Sequence, residues 1–476
     1  MEDVEEIEDR QYQRMKNANI PGLVISLGIP TIITALITNI YNMVDTYYVG
    51  TLGTSQQGAI GIVFTLQFLI QAIAFTLGHG SGIYVSKHLA LKENDIASRY
   101  VSTAFFTALF SGIFILVFGL IFLTPLMYAL GSTDTILPYA RDYSMCVLSS
   151  GPLFIASMVL NNNLRYEGRA SLAMVGLVAG ALLNIFGDHM FVKILDMGVL
   201  GAGLSTAISQ SVSFFILLFM FLTKATSKLS IRRMSKSIKD YLLIIRAGFP
   251  SFIRNAFMSL SSGVLNQYAR LIGENEALEL GLSEAYSADS NIAAMSIASR
   301  YGSFISCIGM GLGQGFQPVA SFNYAINRYD RVKKAMLFTL VCAMCMVFVV
   351  SLLGIISPRV VAEWFNDDNY VISIASKAVR YVSVFAFVVP ITVIGNMLYQ
   401  SIRKAEIASF LAMLRSGVVL VPIILIFYYA GFGFRGIALA TPISDVISAI
   451  ITLPFLLYFL LKKPKNEIIN EEKKKI

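Results

Sequence analysis

Stretches of about twenty nearly uncharged residues recur along the whole chain, and each is long enough to cross the hydrocarbon core of a bilayer as an α-helix. Lipid offers no water to a peptide group, so such a stretch must satisfy its backbone internally, and helix is the form open to it. By this ruler there are about twelve. They lie near residues 22–50, 58–84, 101–123, 143–164, 171–192 and 201–222, and near 241–272, 292–316, 335–356, 379–400, 409–430 and 436–461. Only 14% of the 476 residues are charged, against roughly 25% in soluble domains. The pattern predicts an all-α, multi-pass membrane protein.

The formal net charge of +8 sits in the connections and at the C-terminal end, so it reads as topology and not as affinity for nucleic acid. The most basic connection holds Lys224, Lys228, Arg232, Arg233, Lys236 and Lys239. An even count of spans puts on the same side Lys87, Lys92 and Arg99; Arg165 and Arg169; Arg328, Arg331, Lys333 and Lys334; Arg403 and Lys404; and a tail from Lys462 to Lys475. Basic loops stay in the cytoplasm, which predicts that both termini are cytoplasmic. The acidic stretch 274–289 then becomes a short external excursion. The acidic N-terminal residues end without a small-residue cleavage site, so the first membrane helix is expected to direct targeting.

The two halves read as a repeat. Ser26-Leu-Gly-Ile-Pro30 returns as Arg246-Ala-Gly-Phe-Pro250, Ser171-Leu-Ala-Met174 as Phe410-Leu-Ala-Met413, and the run from Gly198 to Ser209 as that from Gly433 to Ser444. The expected organisation is a cytoplasmic N-terminal segment (1–19), a six-helix lobe (20–223), a basic linker (224–240), a second six-helix lobe (241–461) and a charged tail (462–476). With six spans per half, both copies enter the membrane in the same sense, an arrangement found in carriers that work by alternating access.

Charged side chains inside such segments mark functional sites, because hydrocarbon does not tolerate them without a partner or a wet wall. Asp45 and Asp188 are the strongest cases. Tyr41 shares a helix face with Asp45, and Asn184 with Asp188, each four residues apart. Two carboxylates in one dry pocket would take up a proton. With Asn184 and a hydroxyl such as Thr206 they would equally offer hard oxygen ligands to a sodium ion. The plainer reading sets Asp188 at the membrane interface, where His189, Lys193 and Asp196 follow. The second half has apolar residues at the matching places, around Leu265 and from Val418 to Phe427, so coupling chemistry is expected in the first lobe.

Weaker polar signals are Arg254, Arg300 and Asp445, for which an interhelical Arg254–Asp445 or Arg300–Asp445 pair is one expectation and cargo orientation another. His79, in Gly78-His79-Gly80-Ser81-Gly82, reads as close helix packing or as a proton relay. Glu167, beside Arg165, reads as a solvated loop charge or a gating ion pair. The four cysteines all fall in apolar runs and read as structural. No GxxxxGK[ST] loop, GxSxG elbow or HExxH helix is present, so the chain is not expected to be an enzyme or to use ATP directly.

Tyr41-Asn42-Met43-Val44-Asp45, the run from Asn161 to Gly168, Leu183-Asn184-Ile-Phe-Gly-Asp188, and Gly313-Gln314-Gly315-Phe316-Gln317-Pro318 with Asn323-Tyr324 resemble the multidrug and toxic compound extrusion (MATE) family. The likeness is nearest to its DinF-like prokaryotic branch and extends from about Ile20 to Leu461. The resemblance implies two pseudo-symmetric six-helix lobes and efflux of bulky, often cationic organic compounds in exchange for protons or sodium ions. It also implies an N-lobe coupling network at Tyr41, Asp45, Asn161, Asn184, Asp188 and Thr206. Tyr166, Arg169 and His189 depart from the usual pattern; His189 adjoins a coupling aspartate. The expected setting is the cell membrane of a prokaryote, with small organic cargo and the lipid bilayer as partners, no cofactor beyond H+ or Na+, and function as a monomer. A flippase for a lipid-linked or anionic lipid, built on the same superfamily architecture, is the rival reading.

Overall fold

The structure, a computed structural model, describes residues 4–281 and 283–461, and the regular elements among them are all helical. The tail expected at 462–476 lies outside the described residues. The helices are α1 (Val4–Asn17), α2 (Ile20–Gly50), α3 (Thr54–Ala90), α4 (Asn94–Ile121), α5 (Leu123–Ala129), α6 (Leu137–Tyr166), α7 (Ala170–Asp188), α8 (Gly198–Lys224) and α9 (Ile238–Leu280). There follow α10 (Glu284–Ala325), α11 (Tyr329–Ile356), α12 (Pro358–Glu363), α13 (Asn369–Phe385), α14 (Val389–Ser401), α15 (Ala405–Met413), α16 (Leu420–Tyr429) and α17 (Gly433–Leu461). Wider π-helical turns, His189–Ile194 and Leu414–Val418, follow α7 and α15.

Ten helical spans among the described residues are long and apolar enough to cross a membrane. The other two expected spans fall on α9 and α10, which are 43 and 42 residues long. They carry Arg246, Arg254, Arg270 and Arg300 and are not among those ten. At 1.5 Å per residue each runs to about 65 Å, roughly twice the hydrocarbon thickness. The acidic stretch 274–289 is helical on both sides of a tight turn. α9 continues through it to Leu280, the chain turns at Gly281 with φ +65°, and α10 starts at Glu284. A Cβ at Gly273 would stand 2.6 Å from Ala288 Cα, so the paired helix ends need glycine there.

The chain divides into two compact units, Met1–Ala256 and Phe257–Ile476, with the division inside α9 and not in the basic linker. In the first unit α6 is the central helix, packed on α3, α4, α7 and α8. Of its apolar window 78% is buried, against 28% for α4, which faces outward. The buried asparagines of α6 are bonded: Asn162 Nδ2 donates to Met158 O at 2.7 Å, and Asn163 Nδ2 to Ser81 Oγ at 2.9 Å. In the second unit α10 packs on α11, α13 and α14, and α14 on α15 and α17.

Internal repetition shows in backbone detail. Left-handed residues close helices at Lys92 and Asn327, at Gly168 and Arg403, at Asp196 and Gly431, and start α8 and α17 at Gly198 and Gly433, all at one constant offset. Side chains follow that offset too. Asn161 Nδ2 donates to Ala173 O at 2.9 Å, and Asn396 Nδ2 to Ala408 O at 2.6 Å. In this register the stretch from Ser171 to Met174 matches 406–409 and not 410–413. The sequence match had slipped by four residues, about one helical turn, which leaves the same face presented.

The Gly78-His79-Gly80-Ser81-Gly82 stretch of α3 is a packing device. A Cβ on Gly78 would meet Asn162 Nδ2 at 2.7 Å, one on Gly80 would run into Ile244 O, and one on Gly82 into the Tyr166 ring. On the other side of the α3–α9 contact, a Cβ on Gly248 would strike Thr76 O. His79 between these glycines is fully buried, edge-on to Phe75 and Tyr166 with ring centroids 5.6 and 6.1 Å away.

Glu167 is not a solvated loop charge. It is 3% exposed, and its carboxylate accepts from Thr226 N at 2.7 Å, Ser227 N at 3.1 Å and Ser227 Oγ. Its charge partner is Arg169, 3.9 Å away, while Arg165 donates to Asn162 Oδ1. Burial pushes the Glu167 carboxyl above the ordinary range, and the Ser227 and Thr226 donors pull it back. From this pin the basic linker runs as a strap along α4. Lys228 N donates to Ser98 Oγ at 2.8 Å, Ser230 N to Ser102 Oγ at 3.1 Å, and Ser235 N to Thr103 Oγ1 at 2.9 Å. Ser235 Oγ then donates to Asp240 Oδ2 at 2.6 Å. Glu167→Ala strips the acceptor from three donors, those of Ser227 buried and that of Thr226 partly so, and is expected to lower stability by about 2–4 kcal/mol, at 1–3 kcal/mol per orphaned buried group. Thermal unfolding together with trypsin cleavage in 224–240 checks this; an unchanged midpoint and a strap still resistant to trypsin would refute it.

Candidate functional site

Four helices of the first unit converge on Asp45. α2 supplies Asp45 and Tyr41, α6 supplies Tyr143, α7 ends in Asn184 and Asp188, and α8 supplies Ser205 and Thr206. α7 brings Asn184 and Asp188 to one face through their i, i+4 spacing, and the helix widens into its π-helical turn directly after Asp188. Such wide turns recur at functional sites because they redirect side chains. In the other unit Val419 and Ile423 occupy the positions of Asn184 and Asp188, so these two polar residues have no polar counterpart there.

Asp45 is 2% exposed and Asp188 0% exposed. Tyr143 Oη donates to Asp45 Oδ2 at 2.7 Å and lies 3.2 Å from Thr206 Oγ1. Asn184 Nδ2 donates to Ser205 Oγ at 3.2 Å and to Thr206 Oγ1 at 3.3 Å. Ser205 stands beside Asp188 but commits its one hydrogen to Asn184 O at 2.9 Å. Both oxygens of Asp188, Asp45 Oδ1 and Asn184 Oδ1 are buried and receive no hydrogen bond. The Tyr41 phenol lies within Coulombic range of both carboxylates.

Four acceptor oxygens with no donor and no cationic side chain paired to them make a chemically unfinished group. A proton taken up by the two carboxylates, or a small hard cation among carboxylate, amide and hydroxyl oxygens, would complete it. No resident protein cation does so among the described residues.

Of the six coupling positions expected, Tyr41, Asp45, Asn184, Asp188 and Thr206 come together. Asn161 bonds to the α7 backbone, as Asn396 does in the other unit, and its side chain is committed to that hairpin. Tyr143 and Ser205 belong to the group and were not anticipated. A buried tyrosine needs a partner for its hydroxyl, and Tyr143 at the start of an apolar segment was the available signal. His189 accompanies the group at one remove, with Nδ1 3.0 Å from Tyr48 Oη.

The remaining candidates lie elsewhere. Asp445 pairs with Arg415, Nε to Oδ1 2.5 Å, and Arg415 also donates to Ser306 Oγ at 3.4 Å; the partner is neither Arg254 nor Arg300. Arg415 lies in the second π-helical turn, Leu414–Val418. Arg254 is half-buried near Tyr166 and Arg165, and Arg300 is exposed on α10.

A family profile described as MatE matches residues 30–190 and 282–426. The chain belongs to the MatE family. The multidrug export protein MepA of Staphylococcus saprophyticus is 25% identical over 469 residues, spanning 96% of this chain and 97% of that protein. MepA of Staphylococcus aureus strain MRSA252 is 24% identical over 462 residues, spanning 96% and 97%. A MATE crystal structure in complex with MaL6 superposes with a TM-score of 0.87 at 22% identity over 94% of this chain and 98% of that one. An outward-facing multidrug resistance MATE transporter of the MOP superfamily gives 0.86 at 23% identity over 94% and 97%. At such identities these likenesses establish the fold: this MatE chain has the all-helical architecture of a MATE membrane transporter, and it is not an enzyme.

Proposed function

We propose that this MatE protein exports bulky, often cationic organic compounds by antiport, in exchange for protons or sodium ions bound at Asp45 and Asp188. The observation that carries the reading is the set of buried acceptor oxygens on Asp45, Asp188 and Asn184 that receive no hydrogen bond. A fixed structural site would have donors there; a site that is filled and emptied in each cycle need not. The MepA relatives, named multidrug export proteins, support the cargo class.

In the proposed cycle, ions or protons bind from outside and neutralise the two aspartates. Their mutual repulsion is relieved, Tyr41 and Tyr143 repack around the filled site, and cargo affinity falls. Release of the ion on the cytoplasmic side restores the charged, cargo-accepting state. A prokaryotic cell membrane, both termini in the cytoplasm and action as a monomer complete the reading.

Efflux of a fluorescent organic cation from proteoliposomes, driven in turn by an imposed pH gradient and an imposed sodium gradient, is the test. One gradient is expected to drive efflux and thereby to name the ion. Response to neither would refute the antiporter and turn attention to lipid flipping.

A further inference from the structure

The strap between α8 and α9 has two sides. Its inner side is the row of bonds to Ser98, Ser102 and Thr103 of α4 and to Glu167, which fixes the backbone. Two of the cations in this region are already matched: Arg233 pairs with Asp95 at 2.8 Å, and Arg99 with Asp240 at 3.3 Å. Lys224, Lys228, Arg232, Lys236 and Lys239 are exposed on the outer side and make no ion pair among the described residues.

The helices that the strap joins show what it borders. α8 ends with an exposed apolar face of Phe215, Phe219 and Leu222, and α9 begins with one of Ile238, Leu242, Ile245 and Phe249. Spacings of three and four residues put each set on a single helix face. Large apolar faces on membrane-crossing helices are turned to lipid tails, and both faces end at the strap. The strap therefore lies at the level of the headgroups. Ile231, 60% exposed, sits among its cations as an apolar side chain beside the acyl boundary.

We propose that the strap, residues 224–239, is a docking site for anionic phospholipid headgroups of the leaflet it borders. Basic segments next to a membrane attract anionic lipid through their unneutralised charge. Here the backbone is ordered before the lipid arrives, so the cations are held as a fixed array and binding does not have to order a loop. The inference does not depend on what the protein transports.

The test uses the full chain in detergent micelles supplemented with phosphatidylglycerol or with phosphatidylcholine, reading the thermal unfolding midpoint and, by native mass spectrometry, the lipids retained. Phosphatidylglycerol is expected to raise the midpoint by several degrees and to be retained selectively, with the effect shrinking in high salt. Lys228→Gln/Arg232→Gln/Lys236→Gln/Lys239→Gln should remove most of the shift and of the retained lipid. Arg232→Gln/Lys236→Gln, which leaves more of the topology-setting charge in place, should remove part of it if the fourfold variant fails to insert. Lys473→Gln/Lys474→Gln/Lys475→Gln, in the tail, should keep the full effect. Equal stabilisation by both lipids, an equal shift from inorganic phosphate, or an equal loss in the tail variant would each overturn the proposal.

Discussion

Asp45→Asn is expected to bring gradient-driven cargo efflux in proteoliposomes down to background, a fall of roughly 100-fold or more, equivalent to about 2.7 kcal/mol of lost driving interaction. The asparagine keeps the shape of the side chain and still accepts from Tyr143, whose hydroxyl lies 2.7 Å from Asp45 Oδ2. What it loses is the ability to change charge, and an antiporter that cannot change charge at its ion site cannot exchange. Asp188→Asn should behave alike. Neither variant should be less stable than the wild type, because each removes one of two buried carboxylates that repel each other with no cation paired to them. Correct insertion with an unchanged or raised unfolding midpoint, together with lost exchange, is the expected pair of results. Gradient-driven efflux that survives in the double variant would remove Asp45 and Asp188 from the mechanism.

Gly248→Val is expected to be among the most damaging single changes in the first unit. The α3 and α9 backbones meet there with no room for a side chain: a Cβ on Gly248 would strike Thr76 O, and one on Gly80 would strike Ile244 O. Relief requires moving a helix backbone and not merely turning a side chain. The cost should reach the upper end of overpacking penalties, about 3 kcal/mol, or a midpoint lowered by about 10 °C at 2–4 °C per kcal/mol. Gly61→Ala is the matched control. Nothing lies within 4 Å of its Cβ position, and alanine is favoured over glycine in a helix by up to about 1 kcal/mol. Its midpoint should hold or rise. A Gly248→Val protein as stable as the wild type would show that α3 and α9 are free to separate at no cost.

Much of the site was legible because its chemistry is anomalous where it stands. Asp45 and Asp188 are carboxylates in apolar segments, and their i, i+4 companions Tyr41 and Asn184 follow from helical geometry alone. Thr206 was found through the repeat and the family likeness. Asn161 shows the limit of that route: the residue is present as the motif requires, yet its bond to Ala173 O is mirrored by Asn396 and Ala408 in the other half. A bond kept in both halves serves what the halves share, the hairpin. Tyr143 and Ser205 were missed because a tyrosine or a serine in a membrane segment is common and acquires meaning only from what it touches.

The partners of Glu167 and Asp445 are not visible along the chain. Glu167 looked solvated because it is flanked by Arg165 and Arg169, and the Thr226 and Ser227 groups that bury it come from sixty residues further along the chain. Asp445 was offered to the arginines most conspicuous in sequence, Arg254 and Arg300, whereas Arg415 reaches it from the π-helical turn. Neither partnership has a periodicity to announce it.

The sequence by itself determined the long apolar helices, the twofold repetition and the placing of Asp45 and Asp188 in one half, since these depend on hydropathy and on residue type along a single helix. The tertiary structure alone decided which buried oxygens are left without donors, which glycines allow two backbones to touch, and how a basic linker becomes a fixed strap. Each of those is a contact between segments far apart in the chain, set by how helices cross and not by what any one of them contains.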